Sequence, residues 1–317
     1  MKSFLYNLFV FVLKPSDIMG KAEFVWMDRK IVPKEKAMVP IGSATLHYGL
    51  GVFEGIRCYE TPEGPAVFRL EDHIKRLYNS AEKLDLEIPF EKGEILEETL
   101  NTIKINNLSE CYIRPIVYLG DETMNLGLEE SSVHLAIIVF PWKKYVPDNV
   151  SIGTSDYMRI HPKSLHADAK VTGHYVNSII ATRKAKKEDY GEALLLDFER
   201  NVAEGAGENI FIVKNGKLIT PPLEGRILPG ITRDTVIKIA ENEGIKVVEK
   251  YFKPRDIYKA NEAFFTGTAA EISAIGYLDC NKIGKVPGKI TSILKDEFNK
   301  IIHGKNHEYK GFLSYVN

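Results

Sequence analysis

The sequence is poor in cysteine, has no excess of either charge and contains no internal repeat or low-complexity tract. Its three cysteines, Cys58, Cys111 and Cys280, are far apart in the chain and form no CxxC pair, which argues against a disulfide framework or a zinc site and indicates a reducing compartment. The 42 basic and 43 acidic residues leave a formal net charge of -1, so the overall charge favours neither a nucleic acid nor an acidic membrane as partner. We therefore expect a cytoplasmic protein that acts on a small molecule.

The chain also lacks an apolar run long enough to cross a bilayer. Its most apolar stretch, SFLYNLFVFVL at residues 3–13, follows a single Lys2 and resembles the core of a signal peptide. No small-residue cleavage site follows it, and about eleven residues are too few to span the hydrocarbon core. We expect residues 1–18 to lie outside the fold, as the product of an upstream start codon. An amphipathic anchor is the alternative.

Composition and length indicate two globular domains of mixed helix and strand. Of the 317 residues, 44% are hydrophobic and 27% are charged, which is the balance of a globular protein. This length is near the limit for a single hydrophobic core. The segment PWKKYVPDN carries two prolines and fits neither the strand nor the helix period. We predict a small domain over 19–140, a linker over 141–150 and a larger domain over 151–317.

Hydrophobic periodicity predicts helices and strands in both parts. A helix is predicted over 71–86 from residues that share one face, namely Ile74, Leu77, Ala81 and Leu84. Arg76 lies about 200° from Ile74 around this helix, so periodicity alone makes it a surface residue. A second helix is predicted from His174 to a stop at Gly191, with Val176, Ile179 and Ile180 as its buried side. The Asn215-Gly216 pair predicts a tight hairpin, and further helices are predicted from about Thr232 and near 289–303.

Four short segments combine glycine or hydroxyl residues with charges at the predicted ends of strands or helices, where binding sites tend to lie. They are the Lys170 segment at 165–178, EGAGEN at 204–209, LPGITR at 228–233 and TGTAAE at 266–271. In LPGITR the amides of Ile231 and Thr232 are predicted at the positive end of a helix, which suits a phosphate. TGTAAE provides a second turn, with the Thr268 hydroxyl and backbone amides free to bind. A helix cap and a tight turn are the alternatives.

Lys170 and Glu204 carry the most specific chemistry in these segments. Lys170 has small neighbours, such as Ala169 and Gly173, which let a flat ligand approach its amine, although most lysines are surface groups. Glu204 precedes two glycines and is placed to pair with a protonated ring nitrogen; an exposed acid in a glycine-rich bend is the alternative. A reactive amine, a carboxylate for a ring nitrogen and two amide-rich phosphate turns together match pyridoxal phosphate.

The order and spacing of these segments resemble one enzyme family. HYGLGVFEGIRCY, YIRP, the AK-to-GHY segment, EGAGENIF, LPGITRD and TGTAAEI occur in the family's order. From about Phe24 to Asn317 the chain resembles a class IV, fold-type IV pyridoxal-phosphate aminotransferase of the branched-chain amino acid type. The resemblance implies an α+β fold like that of D-amino acid aminotransferases, with a small N-terminal α/β domain and a larger C-terminal α+β domain that binds the cofactor. It also implies a homodimer or an assembly of dimers.

The resemblance further implies a role for each cofactor-binding residue. Lys170 would bond covalently to the cofactor and act as the catalytic base, Glu204 would pair with the pyridine nitrogen, and Tyr175 would bond to the phenolic oxygen. The other cofactor-binding residues, most of which hold the phosphate, would be Arg76, Leu228, Ile231, Thr232 and Thr268. Only the resemblance makes Arg76 a candidate for binding the phosphate. Its guanidinium fork suits a phosphate dianion.

Substrate recognition is implied in the same way. Tyr112 would bind the substrate α-carboxylate together with the amides of Thr268 and Ala269, and Arg57 would support Tyr112. Arg114 in YIRP would meet the distal carboxylate of glutamate or 2-oxoglutarate. The apolar walls of the substrate pocket would be Tyr48, Phe53, Leu126 and Tyr145, with Tyr48 and Leu126 reaching across a dimer interface. An ordinary place in the core is the alternative for these four.

The implied reaction is transamination of L-leucine, L-isoleucine or L-valine with 2-oxoglutarate, which gives branched-chain 2-oxo acids and L-glutamate in branched-chain amino acid biosynthesis. Lys170 would move the Cα proton of the substrate. D-amino acid aminotransferases, R-selective amine aminotransferases and aminodeoxychorismate lyases share the fold, but YIRP with HYGLGVFEGIRCY favours the branched-chain type. A module that only stores pyridoxal phosphate would need no electron sink at Glu204. A sugar or nucleotide enzyme that binds a different phosphate predicts no coloured cofactor.

Overall fold

The computed structural model of the protein describes residues 22–128, 130–142 and 148–317, which form two sheets with helices packed against them. The predicted extension over 1–18 and part of the predicted linker over 141–150 lie outside these residues. The mixture of helices and strands confirms the α+β prediction, while the domain boundaries stay predictions. Within the described ranges, no helix combines the length and the apolar character needed to cross a membrane.

The first sheet is built from the N-terminal part of the chain and from its last strand. Its strands are β1 (Phe24–Met27), β2 (Lys30–Pro33), β3 (Val52–Phe53), β4 (Ile56–Thr61), β5 (Gly64–Phe68), β6 (Cys111–Leu119), β7 (Val133–Pro141) and β17 (Leu313–Tyr315). They lie in the order β17-β5-β4-β6-β7-β1-β2, with β3 paired to β6. The helices between these strands are α1 (Ala44–Tyr48), α2 (Leu70–Glu82) and α3 (Lys92–Ile105).

The second sheet contains nine strands from the C-terminal part. They are β8 (Val150–Thr154), β9 (Glu192–Leu196), β10 (Val202–Gly205), β11 (Asn209–Lys214), β12 (Lys217–Thr220), β13 (Val247–Glu249), β14 (Glu262–Gly267), β15 (Glu271–Leu278) and β16 (Asn281–Lys282). Their order is β10-β9-β8-β15-β14-β11-β12-β13, with β16 paired to β15. The accompanying helices are α4 (Tyr175–Lys187), α5 (Ile231–Asn242), α6 (Pro254–Tyr258) and α7 (Lys289–Ile302), and short 3-10 helices cover Lys34–Lys36, Thr172–His174 and His307–Phe312.

Two tight hairpins show how local sequence sets the strands. Asn215 and Gly216 join β11 to β12 with φ of 52° and 71°, the left-handed values that a two-residue turn between right-twisted strands needs. The predicted hairpin is therefore confirmed. Asp28 and Arg29 join β1 to β2 in the same way, with φ of 46° and 64°. The Asp28 Oδ1 accepts a hydrogen bond from the Leu135 N–H at 3.0 Å, which holds this turn against β7.

The apolar core connects the two sheets rather than leaving them separate. One cluster fills the space between the first sheet and helices α2 and α3. A second cluster brings Phe68 of β5 together with Phe211 of β11, Phe264 of β14 and Phe298 of α7. Phe211 and Phe264 stack with their ring centroids 5.2 Å apart. Burial of this shared apolar surface fixes the position of elements from both sheets relative to one another.

The predicted buried side of α4 is wrong. Val176, Ile179 and Ile180 are 62%, 53% and 39% exposed. Ala181 and Ala185 are the helix residues that pack against β9 instead. A close approach between a helix and a strand leaves room only for small side chains, so the larger apolar residues of α4 face outward.

Two predicted helix ends need correction, and one predicted start is confirmed. Helix α2 ends at Glu82 and not at residue 86, so Leu84 lies outside it; Asp85 adopts a left-handed φ of 55°, which does not continue a helix. Helix α4 ends at Lys187 and not at Gly191, because Asp189 adopts φ of 62°, a left-handed conformation that terminates a helix. The helix predicted from about Thr232 is confirmed, and it begins at Ile231.

Candidate active site

Lys170 lies between the two sheets, and its amine contacts a phenol. Its backbone N–H donates to Ser80 Oγ at 3.0 Å, and its carbonyl accepts a hydrogen bond from the Phe53 N–H at 3.1 Å. The Nζ atom donates to Tyr175 Oη at 2.6 Å and lies 4.9 Å from the centroid of the Phe53 ring. These contacts from three parts of the chain fix a half-buried amine, which is unlike the setting of an exposed loop lysine.

Glu204 of β10 is a buried carboxyl group with most of its oxygen lone pairs in use. Its Oε1 accepts a hydrogen bond from Arg159 Nε, and its Oε2 accepts from Asn209 Nδ2 at 3.1 Å and from the Leu228 N–H at 3.3 Å. Burial raises the pKa of the Glu204 carboxyl, and the Arg159 charge opposes this rise. A carboxylate has about four lone-pair sites, so about one remains for a further donor. Glu204 and Tyr175 line the same cavity.

Asn209 connects Glu204 to the LPGITR segment. Its Nδ2 donates both to Glu204 and to the Leu228 carbonyl, the latter at 3.0 Å. Its Oδ1 lies so close to Gly230 that a Cβ atom at that position would be 1.9 Å away. The amide of Asn209 therefore sets the distance between the buried carboxyl and the turn before α5.

The predicted phosphate turn lies at the N terminus of α5. Gly230 precedes the helix in an extended conformation, and no side chain caps the first amides. Ile231 and Thr232 are buried, so these amides are sheltered from bulk water at the positive end of a twelve-residue helix. Backbone N–H groups in this position favour an anion.

Arg76 of α2 reaches this turn from the first sheet. It is buried, against the expectation from periodicity, and its Nη1 donates to the Pro229 carbonyl at 2.9 Å. The guanidinium is held by Glu54, which accepts from Nε at 2.7 Å and from Nη2 at 2.8 Å. The ion pair explains how a charged residue on the inner part of α2 is accommodated.

Thr268 and Ala269 form the turn between β14 and β15. The register of Gly267 with Glu271 leaves three residues in this turn. A Cβ atom at Gly267 would lie 3.4 Å from the carbonyl oxygen of Gly207, so the turn lies beside the EGAGEN segment. The TGTAAE and EGAGEN segments thus meet at the ends of strands in the second sheet, and Asn209 links LPGITR to the same place.

The side chains predicted to bind or support the substrate carboxylates lie on the neighbouring strands β4 and β6. Arg114 stacks over the Phe53 ring at 4.7 Å, and its Nη2 donates to Tyr112 Oη at 3.3 Å. Gly55 makes room for that hydroxyl, because a Cβ atom there would lie 1.9 Å from it. Arg57 is the cross-strand partner of Tyr112, but its Nη1 faces Glu271 at 3.5 Å.

Two of the predicted wall residues, Tyr48 and Leu126, are exposed in this chain. Tyr48 and Leu126 are 47% and 84% exposed, and the Tyr48 hydroxyl donates to the Met124 carbonyl at 2.7 Å. Tyr145 lies outside the described residues. Among the predicted apolar walls that the structure describes, Phe53 is the one with a contact to Lys170.

Sequence reasoning missed Arg159, Asn209 and Glu54. Asn209 lies in EGAGEN and Glu54 in GVFEGIRCY. For Glu54 a signal exists, because an acid within an otherwise apolar run indicates a buried partner. Arg159 stands in DYMRIHP, where no pattern distinguishes it from a surface arginine. Its contact with Glu204 joins residues 45 positions apart, which periodicity does not reveal.

The chain belongs to the amino-transferase class IV family, whose model matches residues 51–276. Two relatives carry the name branched-chain-amino-acid aminotransferase. The protein from Pseudomonas aeruginosa is 40% identical over 298 residues, which cover 92% of this chain and 97% of that protein. The protein from Escherichia coli strain K12 is 36% identical over 304 residues, which cover 94% of this chain and 98% of that protein.

Solved structures agree with this assignment. The branched-chain aminotransferase from Thermoproteus uzoniensis, crystallised with norvaline, has a TM-score of 0.90 and 40% identity, over 95% of this chain and all of that one (100%). The branched-chain amino acid aminotransferase from Thermobaculum terrenum, crystallised in its PLP-bound holo form, has a TM-score of 0.87 and 32% identity, over 94% of this chain and 99% of that one. The predictions of the family and of its fold are confirmed.

Proposed function

We propose that the protein is a pyridoxal-phosphate enzyme that transfers the amino group of L-leucine, L-isoleucine or L-valine to 2-oxoglutarate, giving branched-chain 2-oxo acids and L-glutamate. Its place is the biosynthesis of branched-chain amino acids. The observation that carries the proposal is the pairing of the Lys170 amine with Tyr175 Oη at 2.6 Å beside a cavity that Tyr175 shares with the buried Glu204. The names of the relatives support the substrate class.

The groups around this cavity fit pyridoxal phosphate. Lys170 offers an amine, Tyr175 a phenol for the ring oxygen, and Glu204 a buried carboxyl with one lone-pair site left for a ring N–H. The amides that begin α5, together with Arg76, offer donors for the phosphate, and the Thr268 hydroxyl extends that set. When bound, this cofactor supplies an aldehyde carbon for the substrate amine and a protonated ring that accepts electrons from the substrate Cα.

Lys170 is the residue that moves protons in the proposed reaction. Its Nζ accepts the proton that leaves the substrate Cα. Tyr175 Oη holds this amine in place. Glu204, which Arg159 and Asn209 support, keeps the ring nitrogen of the cofactor protonated. Phe53 packs edge-on against Tyr175, with ring centroids 4.8 Å apart, and shields the amine from bulk water.

The two substrates are distinguished on the neighbouring strands of the first sheet. Tyr112, supported by Arg57, and the amides of Thr268 and Ala269 hold the α-carboxylate that both substrates share. Arg114, which lies against the Phe53 ring, meets the distal carboxylate of 2-oxoglutarate, and the part of that ring left uncovered offers an apolar surface to a branched side chain. The branched-chain names of the relatives do not favour a D-amino acid aminotransferase or an aminodeoxychorismate lyase.

We also propose that the active unit is a homodimer or an assembly of dimers in the cytoplasm. Tyr48 and Leu126, which belong to the predicted walls, are exposed in the single chain. A second copy that covers them would complete the pocket. Sedimentation of the purified protein tests this: dimers or larger assemblies are expected, and a fully active monomer would contradict it.

Substitution of Lys170 tests the proposed function. We expect Lys170→Ala to abolish transfer from L-leucine to 2-oxoglutarate while the circular dichroism spectrum stays that of the wild type, because the amine that moves the proton is gone. Lys163→Ala, which removes an exposed lysine from the same stretch of chain, serves as the control and should keep wild-type turnover. Measurable transamination by the Lys170→Ala protein would refute the assignment.

A further inference from the structure

Glu54, His73 and Arg76 form a buried cluster beneath the proposed phosphate site. Glu54 is 0% exposed, and His73 and Arg76 are buried as well. Glu54 accepts from Arg76 Nε and Nη2 at 2.7 and 2.8 Å, and its Oε2 also lies 2.7 Å from His73 Nδ1. The Gly55 N–H donates to the same Oε2 at 3.1 Å. Both carboxylate oxygens are thus bound to groups that keep the side chain in one orientation.

The cluster contains one carboxylate that is ionised, Glu54, and one guanidinium that is protonated, Arg76. Burial opposes ionisation of Glu54, but Arg76 and His73 outweigh that effect and hold the pKa of the carboxyl well below its usual range. Burial lowers the pKa of His73, which the nearby carboxylate only partly offsets. Near neutral pH, Glu54 is therefore ionised and His73 is neutral, so the carboxylate is matched by Arg76 alone.

The hydrogen bonds leave Arg76 with a defined pair of free donors. A guanidinium carries five N–H groups. Glu54 takes one from Nε and one from Nη2, and the Pro229 carbonyl takes one from Nη1. Two N–H groups remain, one on each terminal nitrogen, beside the residue that leads into the Gly230 turn and α5. Free N–H donors on both terminal nitrogens of a planar guanidinium suit a phosphate dianion.

We infer that Glu54 is a positioning residue, which fixes the guanidinium of Arg76 so that its two remaining N–H groups face a phosphate bound at the N terminus of α5. The inference rests on the proposed function, because it takes pyridoxal phosphate as the ligand. Because Glu54 is 0% exposed, it acts through Arg76 and presents no surface to a bound molecule. Loss of its carboxylate should therefore weaken binding of the phosphate group and leave bond formation between Lys170 and an aldehyde unchanged.

The test compares two aldehydes that differ only in the phosphate. Apoprotein is titrated with pyridoxal phosphate and with pyridoxal, and binding is followed by the absorption of the aldehyde bonded to Lys170. For Glu54→Gln we expect the dissociation constant of pyridoxal phosphate to rise about tenfold to a hundredfold, by analogy with the loss of a residue that supports a metal ligand. The constant for pyridoxal should stay within about twofold. Glu54→Asp keeps the charge but shortens the side chain, so it should weaken pyridoxal phosphate binding as well.

Two further variants separate positioning from a general loss of structure. Glu262→Gln makes the same change at another buried carboxylate, which accepts from the Ile290 and Thr291 amides at the start of α7. It should lower stability without changing the preference for pyridoxal phosphate over pyridoxal. In an Arg76→Gln background, Glu54→Gln should have little further effect on that preference, because the group it positions is absent.

The outcomes are distinct. An unchanged or increased preference for pyridoxal phosphate in Glu54→Gln and Glu54→Asp would overturn the positioning role. Equal weakening of both aldehydes would overturn it too, since it would indicate a structural defect. Failure of the wild-type protein to bind pyridoxal phosphate would instead overturn the proposed function. Should Glu54→Gln not fold, the Glu54→Asp titration decides the question by the same criterion.

Discussion

Gly230→Ala should disrupt the candidate site through a single methyl group. Gly230 has φ of -68° and ψ of 130°, which an alanine adopts without backbone strain. The cost therefore comes from the new Cβ, which would lie 1.9 Å from Asn209 Oδ1 and 3.2 Å from its Cγ. An ordinary carbon-oxygen contact is about 3.3 Å or more. The Asn209 amide must therefore move by more than about 1 Å.

That movement breaks contacts that shape the cofactor site. Asn209 Nδ2 donates to Glu204 Oε2 at 3.1 Å and to the Leu228 carbonyl at 3.0 Å. Net values are about 1.5 to 3 kcal/mol for a hydrogen bond to a charged group and about 1 kcal/mol for a neutral one. The expected loss is therefore about 2 to 4 kcal/mol of support for Glu204 and the turn. A displacement of about 1 Å lowers kcat/KM by on the order of a hundredfold.

The assay measures kcat/KM for L-leucine with saturating 2-oxoglutarate, and urea unfolding of the same protein. Gly93→Ala is the matched control, since a Cβ at Gly93 in the first turn of α3 meets nothing within 4 Å. It should keep wild-type kcat/KM and gain about 0.4 to 1 kcal/mol of unfolding free energy, because alanine restricts the unfolded chain. If Gly230→Ala kept kcat/KM within about twofold of the wild type, the tight packing of Asn209 against the turn would not matter for function and the reasoning would fail.

Two further predictions concern specificity and pH. Arg114→Gln should lower kcat/KM for 2-oxoglutarate by about 10- to 100-fold through loss of charge-assisted hydrogen bonds, while single-turnover reaction with L-leucine changes much less; equal losses in both half-reactions would contradict the role of Arg114. Burial, and then the charge of Arg159, lowers the pKa of His174 from 6.5 to about 4. Between pH 6.5 and about 4, His174 is protonated in the unfolded state but neutral in the folded state. The contribution of His174 to the unfolding free energy is therefore fully present above about pH 6.5 and is lost as the pH falls towards 4. The full shift corresponds to about 3 kcal/mol, which screening by solvent reduces to about 1 to 2 kcal/mol. His174→Gln should therefore make the unfolding free energy fall less with decreasing pH, by that amount. An unchanged pH dependence of the unfolding free energy, measured with urea, would contradict this.

Local signals predicted those parts of the fold that depend on neighbouring residues. The Asn215-Gly216 hairpin and the start of α5 are set by backbone conformation within a few positions, and both are as predicted. The buried face of α4 was not predictable from hydrophobicity, because close packing on β9 selects Ala181 and Ala185 over larger apolar residues. The pairing of β17 with β5 joins Leu313 to Phe68, a long-range contact that leaves no periodic signal.

In the candidate site, too, residues that depend on long-range contacts were harder to predict than those with a local signal. Family resemblance identified Arg76 as a site residue, whereas periodicity placed it on the surface. Periodicity failed because the ion pair with Glu54 reverses the usual preference of arginine for the surface. Arg159 and Asn209 act through contacts made only in the folded chain. Residues that hold other site residues are thus the ones that sequence reasoning finds last.

The central claim is that Lys170 and a bound pyridoxal phosphate transfer amino groups from branched-chain L-amino acids. Its most direct test is the visible absorption spectrum of the purified protein before and after addition of L-leucine, with D-alanine as the comparison. We predict a yellow band that L-leucine bleaches, that 2-oxoglutarate restores and that D-alanine leaves unchanged. Bleaching by D-alanine alone would replace the branched-chain assignment with a D-amino acid one, and a protein that stayed colourless after incubation with pyridoxal phosphate would contradict the claim altogether.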